Sequence, residues 1–267
     1  MTGGVPRLVA TDLDGTLLRS DGTVSGATRR VLAAVEDAGV PVVFVTGRPL
    51  RWMTHLWEMV GAHGVAVAGN GAVVYDVAAR EVRRLHGIDA AAGLAVVAAI
   101  REAVPGSLFA IEDVDGIAIE TERFKDDLTT RVGPLEEQWS DSVSKLLVRS
   151  PDVAHADLPR LVTAAVGDAA TGTWSMPGLV EISASGVTKA AALAEVADDL
   201  RVGAEDVVAF GDMPNDLPML AWAGTSYAVA NANPAVLDAA DHTAPANDAD
   251  GVAQTLARLV PVDPDLL

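Results

Sequence analysis

The sequence contains no cysteine, few aromatic residues and no long hydrophobic run. The lack of cysteine excludes disulfides, thiolate nucleophiles and thiolate zinc sites. No apolar stretch reaches the roughly 18 residues that suggest a membrane-spanning helix. The opening residues MTGGVPRLVATDLDG also lack the pattern of a signal peptide. We therefore expect a soluble, cytoplasmic protein.

Positive charge is scarce as well, because 19 basic residues face 37 acidic ones and the formal net charge is −18. A field of this sign repels polyanions, which argues against nucleic acid or an anionic membrane surface as a partner. A small anionic substrate would need local cations. Only 4% of the residues are aromatic, so the core is expected to consist of Ala, Val and Leu, as in many α/β proteins.

The first and last parts of the chain alternate between strand-like and helix-like segments, which predicts a Rossmann-like α/β core with a parallel sheet. Asn70-Gly71 before Ala72–Tyr75 indicates a hairpin. Strands are expected at 7–11, 40–45, 65–68, 206–210 and 226–230, and helices at 25–38, 53–60, 188–200 and 215–223.

The middle of the chain has a different texture, with hairpin-like strands and fewer parallel-sheet signals. Helices are expected near 90–104 and 155–166, and strands at 108–112, 116–120, 143–149, 171–175 and 179–183. This pattern is typical of an α+β module with a half-exposed sheet. We predict a core domain formed by residues 1–86 and 184–267, and an inserted α+β domain at 87–183.

Polar clusters follow the predicted core strands or begin the helices after them. They are DLDGT at 12–16, TGR at 46–48, the lysine at 189 and GDMPND at 211–216. Because the carboxyl ends of parallel strands share one edge of the sheet, these clusters are expected to meet there.

Asp12 and Asp14 have the spacing of a nucleophile and a nearby acid/base. An Asx-type turn that merely ends the strand is an equal alternative for this motif alone. Asp216 would interact favourably with the positive end of the helix dipole. Asp212 has no such role at a helix N-terminus, so it is a candidate metal ligand.

Thr46 and Lys189 are candidate phosphate ligands, although a strand-end hydroxyl and an ordinary exposed lysine are the simpler interpretations of each alone. Carboxylate oxygens without cysteine or clustered histidine favour Mg²⁺ over zinc. Magnesium, Lys189 and Arg48 would together offset the acidic residues around a bound phosphate.

The motifs DLDGTLL, TGR, GVTKAAAL and GDMPNDLPML, in this order, resemble the haloacid dehalogenase (HAD) superfamily. The resemblance covers the whole chain. The large insertion after TGR, together with the NGA motif that starts at Asn70, resembles the Cof-type branch (subfamily IIB). That resemblance implies a phosphatase whose inserted domain is a cap that selects the substrate.

The resemblance also implies a role for each motif residue. Asp12 would form an aspartyl-phosphate, and Asp14 would protonate the leaving group and then deprotonate water. Magnesium would be held by Asp12, Asp212 and the backbone carbonyl of Asp14.

The remaining implied roles concern the phosphoryl group. Thr46 and Lys189 would bind its oxygens and stabilise the transition state, with a backbone donor from Gly47. Asn215 would touch the phosphate or orient Lys189, and Asp216 would organise its own loop.

Two positions depart from the family pattern, and they affect loop shape rather than chemistry. Met213-Pro214 replaces polar residues of the closing motif, and Ala190-Ala191 stands where a glycine is common. The cap offers substrate-contacting candidates without a motif to choose among them, namely Glu112, Asp115, Glu120, Arg123, Trp174 and Glu181.

The leading hypothesis is a phosphomonoester hydrolase that acts on a small phosphorylated metabolite, with sugar phosphates the commonest case. A phosphomutase on the same scaffold is the first alternative, and a phospho-acceptor signalling domain is an alternative of another class. The acid/base Asp14 and the long insertion argue against a signalling switch. We expect a monomer or a small homo-oligomer.

Overall fold

The computed structural model describes residues 4–53, 56–57, 64–114, 116–124 and 131–267. The strands are β1 Leu8–Thr11, β2 Val42–Val45, β3 Val65–Ala68, β4 Val73–Asp76, β5 Glu81–Leu85, β6 Leu108–Asp113, β7 Ile117–Ile119, β8 Arg131–Val132, β9 Val143–Arg149, β10 Ala170–Met176, β11 Leu179–Ala184, β12 Val207–Gly211, β13 Thr225–Val229 and β14 His242–Ala244.

Helices are interspersed among these strands along the chain. The α-helices are α1 Gly26–Asp37, α2 Ala90–Ala103, α3 Leu135–Gln138, α4 Leu158–Val166, α5 Lys189–Leu200, α6 Leu217–Trp222, α7 Pro234–Ala239 and α8 Gly251–Leu259. Short 3₁₀ turns lie at Leu50–Trp52, Gly69–Gly71, Glu122–Phe124, Gly167–Ala169, Ala204–Asp206, Pro214–Asp216, Asn247–Ala249 and Pro264–Leu266.

The chain divides into two compact units. The first contains residues 1–48, 52–83 and 189–267, and the second contains residues 49–51 and 84–188. The sequence predicted a core at 1–86 and 184–267, so the two sets of boundaries differ by a few residues. The difference comes from residues 49–51, 84–86 and 184–188, which the sequence placed in the core and the structure places in the second unit.

The first unit is built on one sheet with the strand order β14-β13-β12-β1-β2-β3-β4-β5. The pairs from β14 to β3 are parallel, and β3 pairs with β4 in antiparallel fashion. β1, β2, β3 and β12 are fully buried runs of mainly Val, Ala, Leu and Phe, as expected for a parallel sheet covered on both faces. The predicted α/β class with a parallel sheet is therefore confirmed.

Local sequence explains how the elements of this unit begin and end. Ser25 begins α1 as its N-cap, accepting a hydrogen bond from the backbone N–H of Thr28. The predicted hairpin turns at Asn70, which has φ 59°. Asn tolerates this left-handed conformation better than most residues. Most of the helix predicted at 53–60 lies outside the described residues.

The second unit is a sheet with the strand order β10-β11-β9-β6-β7-β8. Its pairs are antiparallel except for β7 with β8. α2 and α4 contribute to the main apolar cluster with one face of the sheet, through residues such as Val97, Phe109 and Leu146. The other face was expected to be half exposed. Instead it carries a second buried cluster that contains Phe124 and Leu147.

Candidate active site

Asp12 lies directly after β1, at the carboxyl edge of the first unit's sheet. Its backbone N–H donates to the carbonyl of Phe210 on the neighbouring β12 at 3.0 Å, which extends the strand pairing by one residue. The side chain is buried, and its Oδ1 accepts a hydrogen bond from Lys189 Nζ at 2.5 Å. Lys189 begins α5, so a residue 177 positions away is brought to Asp12 by the fold.

Lys189 also donates to Asp216 Oδ1 at 2.6 Å, so one buried ammonium lies between two buried carboxylates. The other oxygen of Asp216 accepts from the backbone N–H groups of Asp212 and Met213, both at 3.0 Å. Asp216 is therefore occupied in holding Lys189 and the loop after β12. Sequence analysis expected Asp216 to organise its own loop, and it did not predict the contact with Lys189.

Asp212 completes a cluster of acidic side chains. One ligand oxygen each from Asp12, Asp212 and Asp216 lies within 4.8 Å of the others. Asp212 Oδ1 accepts from the Thr16 hydroxyl at 2.8 Å. Such hard oxygen donors suit Mg²⁺ better than zinc. Because both oxygens of Asp216 already accept hydrogen bonds, Asp12 and Asp212 are the better candidates for metal ligands.

Burial and charge shift the pKa values of this cluster. Desolvation raises the pKa of Asp12 well above its usual range, although Lys189 opposes the shift. Desolvation also raises the pKa of Asp212 to about 6, against the hydrogen bond from Thr16. For Lys189, burial lowers the pKa, but the carboxylates of Asp12 and Asp216 outweigh it and raise the pKa overall. A divalent cation would favour the ionised carboxylates.

Asp14 is the exposed acid of the site. Arg48 binds it in a bidentate ion pair, with Nε to Oδ2 at 2.7 Å and a terminal nitrogen to Oδ1 at 2.6 Å. Sequence analysis expected Arg48 to offset the acidic charge around a bound phosphate, and in the structure its guanidinium pairs with Asp14. The backbone N–H of Arg48 donates to the buried hydroxyl of Thr46 at 3.0 Å, so the TGR loop is ordered around its own threonine.

Asn70 joins two of the predicted clusters. Its backbone N–H donates to the carbonyl of Thr46 at 2.9 Å, and its Oδ1 accepts from Asn215 Nδ2 at 3.0 Å. A Cβ added to Gly47 would lie 3.1 Å from Asn70 Oδ1, so glycine allows this close approach. The structure thus brings the TGR loop, the NGA turn and the loop after β12 together in one unit.

The substrate-contacting candidates of the second unit lie in different surroundings. Glu112 is buried in an ion pair with Arg51, and Glu181 is buried beside Lys145, whose Nζ lies 2.5 Å from Glu181 Oε2. Trp174 is exposed. The remaining candidates are Glu120 in an ion pair with Arg101, Arg123 at the surface, and Asp115, which lies outside the described residues.

Sequence reasoning missed Asn231 and Asn233, which contact the loops after β1 and β12. The amide of Asn231 donates to the carbonyl of Gly15 at 2.7 Å. The backbone N–H of Asn233 donates to the carbonyl of Asp212 at 2.8 Å. Neither residue lies in a motif that a single sequence reveals.

The chain is similar in sequence and in fold to proteins that are named as phosphatases. The chain is 31% identical to the 5-amino-6-(5-phospho-D-ribitylamino)uracil phosphatase of Bacillus subtilis, over 94% of this chain and 96% of that protein. It is 29% identical to the pyridoxal phosphate phosphatase of Escherichia coli, over 93% and 96%. A solved structure of a HAD-superfamily phosphatase from Bacteroides thetaiotaomicron superposes with a TM-score of 0.82 at 25% identity, covering 97% and 99%.

No helix in the described ranges is long and apolar enough to cross a membrane. The cytoplasmic location and the oligomeric state stay predictions. The family model for haloacid dehalogenase-like hydrolases matches residues 9–256, which includes every motif described above. This protein is therefore a member of the haloacid dehalogenase-like hydrolase family.

Proposed function

We propose that this protein is a magnesium-dependent phosphatase that hydrolyses small phosphorylated metabolites through an aspartyl-phosphate on Asp12. The observation that carries the proposal is the buried ammonium of Lys189 between Asp12 and Asp216, with Asp212 beside them. Such an arrangement offers a carboxylate nucleophile together with cationic charge for a phosphoryl group.

Asp12 is the proposed nucleophile. One carboxylate oxygen attacks phosphorus, the bond between phosphorus and the ester oxygen breaks, and the electron pair leaves with that oxygen. Lys189 opposes the effect of desolvation, which raises the pKa of the buried Asp12 and favours the neutral acid. It also provides positive charge for the phosphoryl oxygens.

Asp14 is the proposed acid/base. Once one of its oxygens is released from Arg48 and protonated, Asp14 gives that proton to the leaving alkoxide, which departs as a neutral alcohol. In the second half-reaction Asp14 takes a proton from water as the water oxygen attacks phosphorus, and the bond to Asp12 breaks. The bidentate contact from Arg48 supports a defined orientation for this exposed carboxylate.

The proposed phosphate contacts come from the loops that surround Asp12. Thr46, Gly47 and Asn215 are proposed to bind phosphoryl oxygens, in addition to Lys189. The contacts of Asn70 with Thr46 and Asn215 support this, because one turn holds both loops. Arg48 has two candidate roles, which are phosphate binding and the orientation of Asp14. Kinetic measurements with different substrates distinguish these roles.

The residues present fit a magnesium ion. Asp12, Asp212 and the backbone carbonyl of Asp14 would hold it, and no cysteine or histidine competes in the described acidic cluster. When bound, the ion supplies positive charge that offsets the acidic residues and polarises the phosphoryl group. Asp216 would remain outside the ligand set as the partner of Lys189.

The relatives support a proposal for the substrate class. The two curated relatives are named as phosphatases of a phosphoribitylamino-uracil and of pyridoxal phosphate, both small phosphomonoesters. We extend this class to the present chain and include sugar phosphates. Residues 87–183 are proposed to select the leaving group, with Glu112 and Glu181 among the candidates.

Phosphate release from a panel of phosphorylated metabolites tests the proposal. We expect release that stops in EDTA and returns with MgCl₂. Release of inorganic phosphate from a single substrate also distinguishes hydrolysis from a phosphomutase reaction, which passes the phosphoryl group back to a sugar.

Asp12→Asn is expected to abolish turnover while leaving the circular dichroism spectrum unchanged. Asp76→Asn is a matched control. Asp76 pairs with Val65 at the start of β3, so it lies near the amino ends of the parallel strands, whereas Asp12 lies near their carboxyl ends. Retained activity in Asp12→Asn would refute the assignment of the nucleophile.

A further inference from the structure

The segment after β13 contacts both loops that carry the proposed metal ligands. Asn231 Nδ2 donates to the carbonyl of Gly15, in the loop after β1, at 2.7 Å. Two residues later, the backbone N–H of Asn233 donates to the carbonyl of Asp212, in the loop after β12, at 2.8 Å. The short segment that follows β13 therefore makes a hydrogen bond to each of these two loops.

The orientation of the Asn231 amide is determined by its partners. Its Oδ1 accepts from the backbone N–H of Asn247 at 2.9 Å, while its Nδ2 faces the carbonyl of Gly15. The opposite orientation would place an oxygen against the carbonyl and an NH₂ group against an N–H. Asn247 thus fixes Asn231 as a donor toward Gly15.

Gly15 lies against the carboxylate of Asp212. Its φ is +78°, and a Cβ built on it would lie only 2.5 Å from Asp212 Oδ2. The next residue, Thr16, donates its hydroxyl to Asp212 Oδ1 at 2.8 Å. A displacement of the Gly15 backbone would therefore change the space and the hydrogen bonding around Asp212.

We propose that Asn231 is a positioning residue for the divalent-cation site, acting through Gly15 on the acids of the two loops. The inference rests on the proposed function, because it takes Asp12 and Asp212 as the metal ligands. Groups that orient ligands without touching the metal commonly change metal affinity by about tenfold or more when they are removed.

The loop after β1 has other anchors, so the loss of the Asn231 amide should act locally. Asn247 Nδ2 donates to the carbonyl of Leu18 at 2.9 Å. The backbone N–H and the hydroxyl of Ser20 both donate to Asp248, at 2.8 and 2.7 Å. Asn231 itself is exposed, and we expect Asn231→Ala to fold.

The test is a titration of the full chain with MnCl₂, followed by electron paramagnetic resonance of the free ion. We expect Asn231→Ala to raise the Kd for Mn²⁺ about tenfold. In turnover assays the Mg²⁺ concentration for half-maximal activity should rise similarly, while kcat at saturating Mg²⁺ stays within about twofold of the parent protein.

Ser20→Ala is the matched control, because it removes a hydrogen bond from the same loop without altering charge. It should leave the Kd for Mn²⁺ unchanged. An unchanged Kd in Asn231→Ala, or an equal rise in Ser20→Ala, would overturn the role of Asn231. If the parent protein itself binds no Mn²⁺, the proposed metal dependence fails instead.

Discussion

Replacing Arg48 by alanine separates its two candidate roles. In the structure Arg48 makes two hydrogen bonds to Asp14, at 2.7 and 2.6 Å. If this contact orients the acid, kcat/KM should decrease mainly for substrates whose leaving group needs a proton. If Arg48 instead binds the phosphate, all phosphomonoesters should lose affinity to the same degree.

The exposure of the pair sets the size of the expected effect. The side chain of Arg48 is 21% exposed and that of Asp14 is 54% exposed, so water screens the interaction. Partly exposed ion pairs of this kind contribute about 1 kcal/mol. A loss of this size in the transition state corresponds to about a fivefold decrease in kcat/KM.

The assay compares kcat/KM for two substrates, because this ratio reports on the first half-reaction. For the best alkyl phosphate of the metabolite panel, we expect Arg48→Ala to decrease kcat/KM about fivefold. For p-nitrophenyl phosphate, whose leaving group needs little protonation, the decrease should stay below about twofold.

Asp14→Asn should show the same preference more strongly, and adding Arg48→Ala to it should cost little more, since the two residues act as one unit. Equal losses for both substrates, or a change confined to KM, would refute the positioning of Asp14 by Arg48.

Two further predictions concern stability. Lys189→Met leaves the buried carboxyl groups of Asp12 and Asp216 without a counter-ion. We therefore expect it to decrease the free energy of unfolding by about 3 kcal/mol or more, measured with urea at pH 7 in EDTA. A decrease below about 1 kcal/mol would contradict this. Burial raises the pKa of Asp250, but hydrogen bonds that include those from Arg19 outweigh it and lower the pKa overall. Asp250→Asn should therefore decrease stability by about 1 kcal/mol at pH 7, with the difference disappearing as the pH falls below about 4; a difference that persists at low pH would show that the charge is not responsible.

Much of the core could be predicted because its strands are short runs of buried apolar residues that end in polar motifs. β3 has the predicted bounds, as does β9 in the second unit, and the other predicted core strands differ by one or two residues. The meeting of the motifs follows from the parallel order of β2, β1 and β12, since the carboxyl ends of these strands share one edge.

The elements that were not predicted lack such signals. β5 has the sequence EVRRL and lies at the edge of the sheet, where it is mostly exposed and charged. β14 has only three residues, two of which are exposed, and it pairs with β13 at the edge of the sheet. α7 and α8 lie near the end of the chain, after the last motif, and their sequences contain no polar motif of their own.

Side-chain pairing was the least predictable feature of the site. The pairing of Arg48 with Asp14 depends on rotamers, which sequence spacing does not determine. The contact of Asn231 with Gly15 joins residues 216 positions apart through a backbone carbonyl, and a carbonyl carries no residue-specific pattern. Sequence analysis identified Lys189 as a candidate phosphate ligand, but it did not predict the pairing of Lys189 with Asp12 and Asp216.

The covalent step on Asp12 is the central claim. Trapping the enzyme with borohydride during turnover tests it most directly, since borohydride reduces an aspartyl-phosphate to homoserine. Peptide mass spectrometry should then find homoserine at position 12 in the presence of substrate and Mg²⁺, and unmodified Asp12 when substrate is omitted. Rapid phosphate release with no modification at position 12, or with the modification at another acidic residue, would contradict the mechanism.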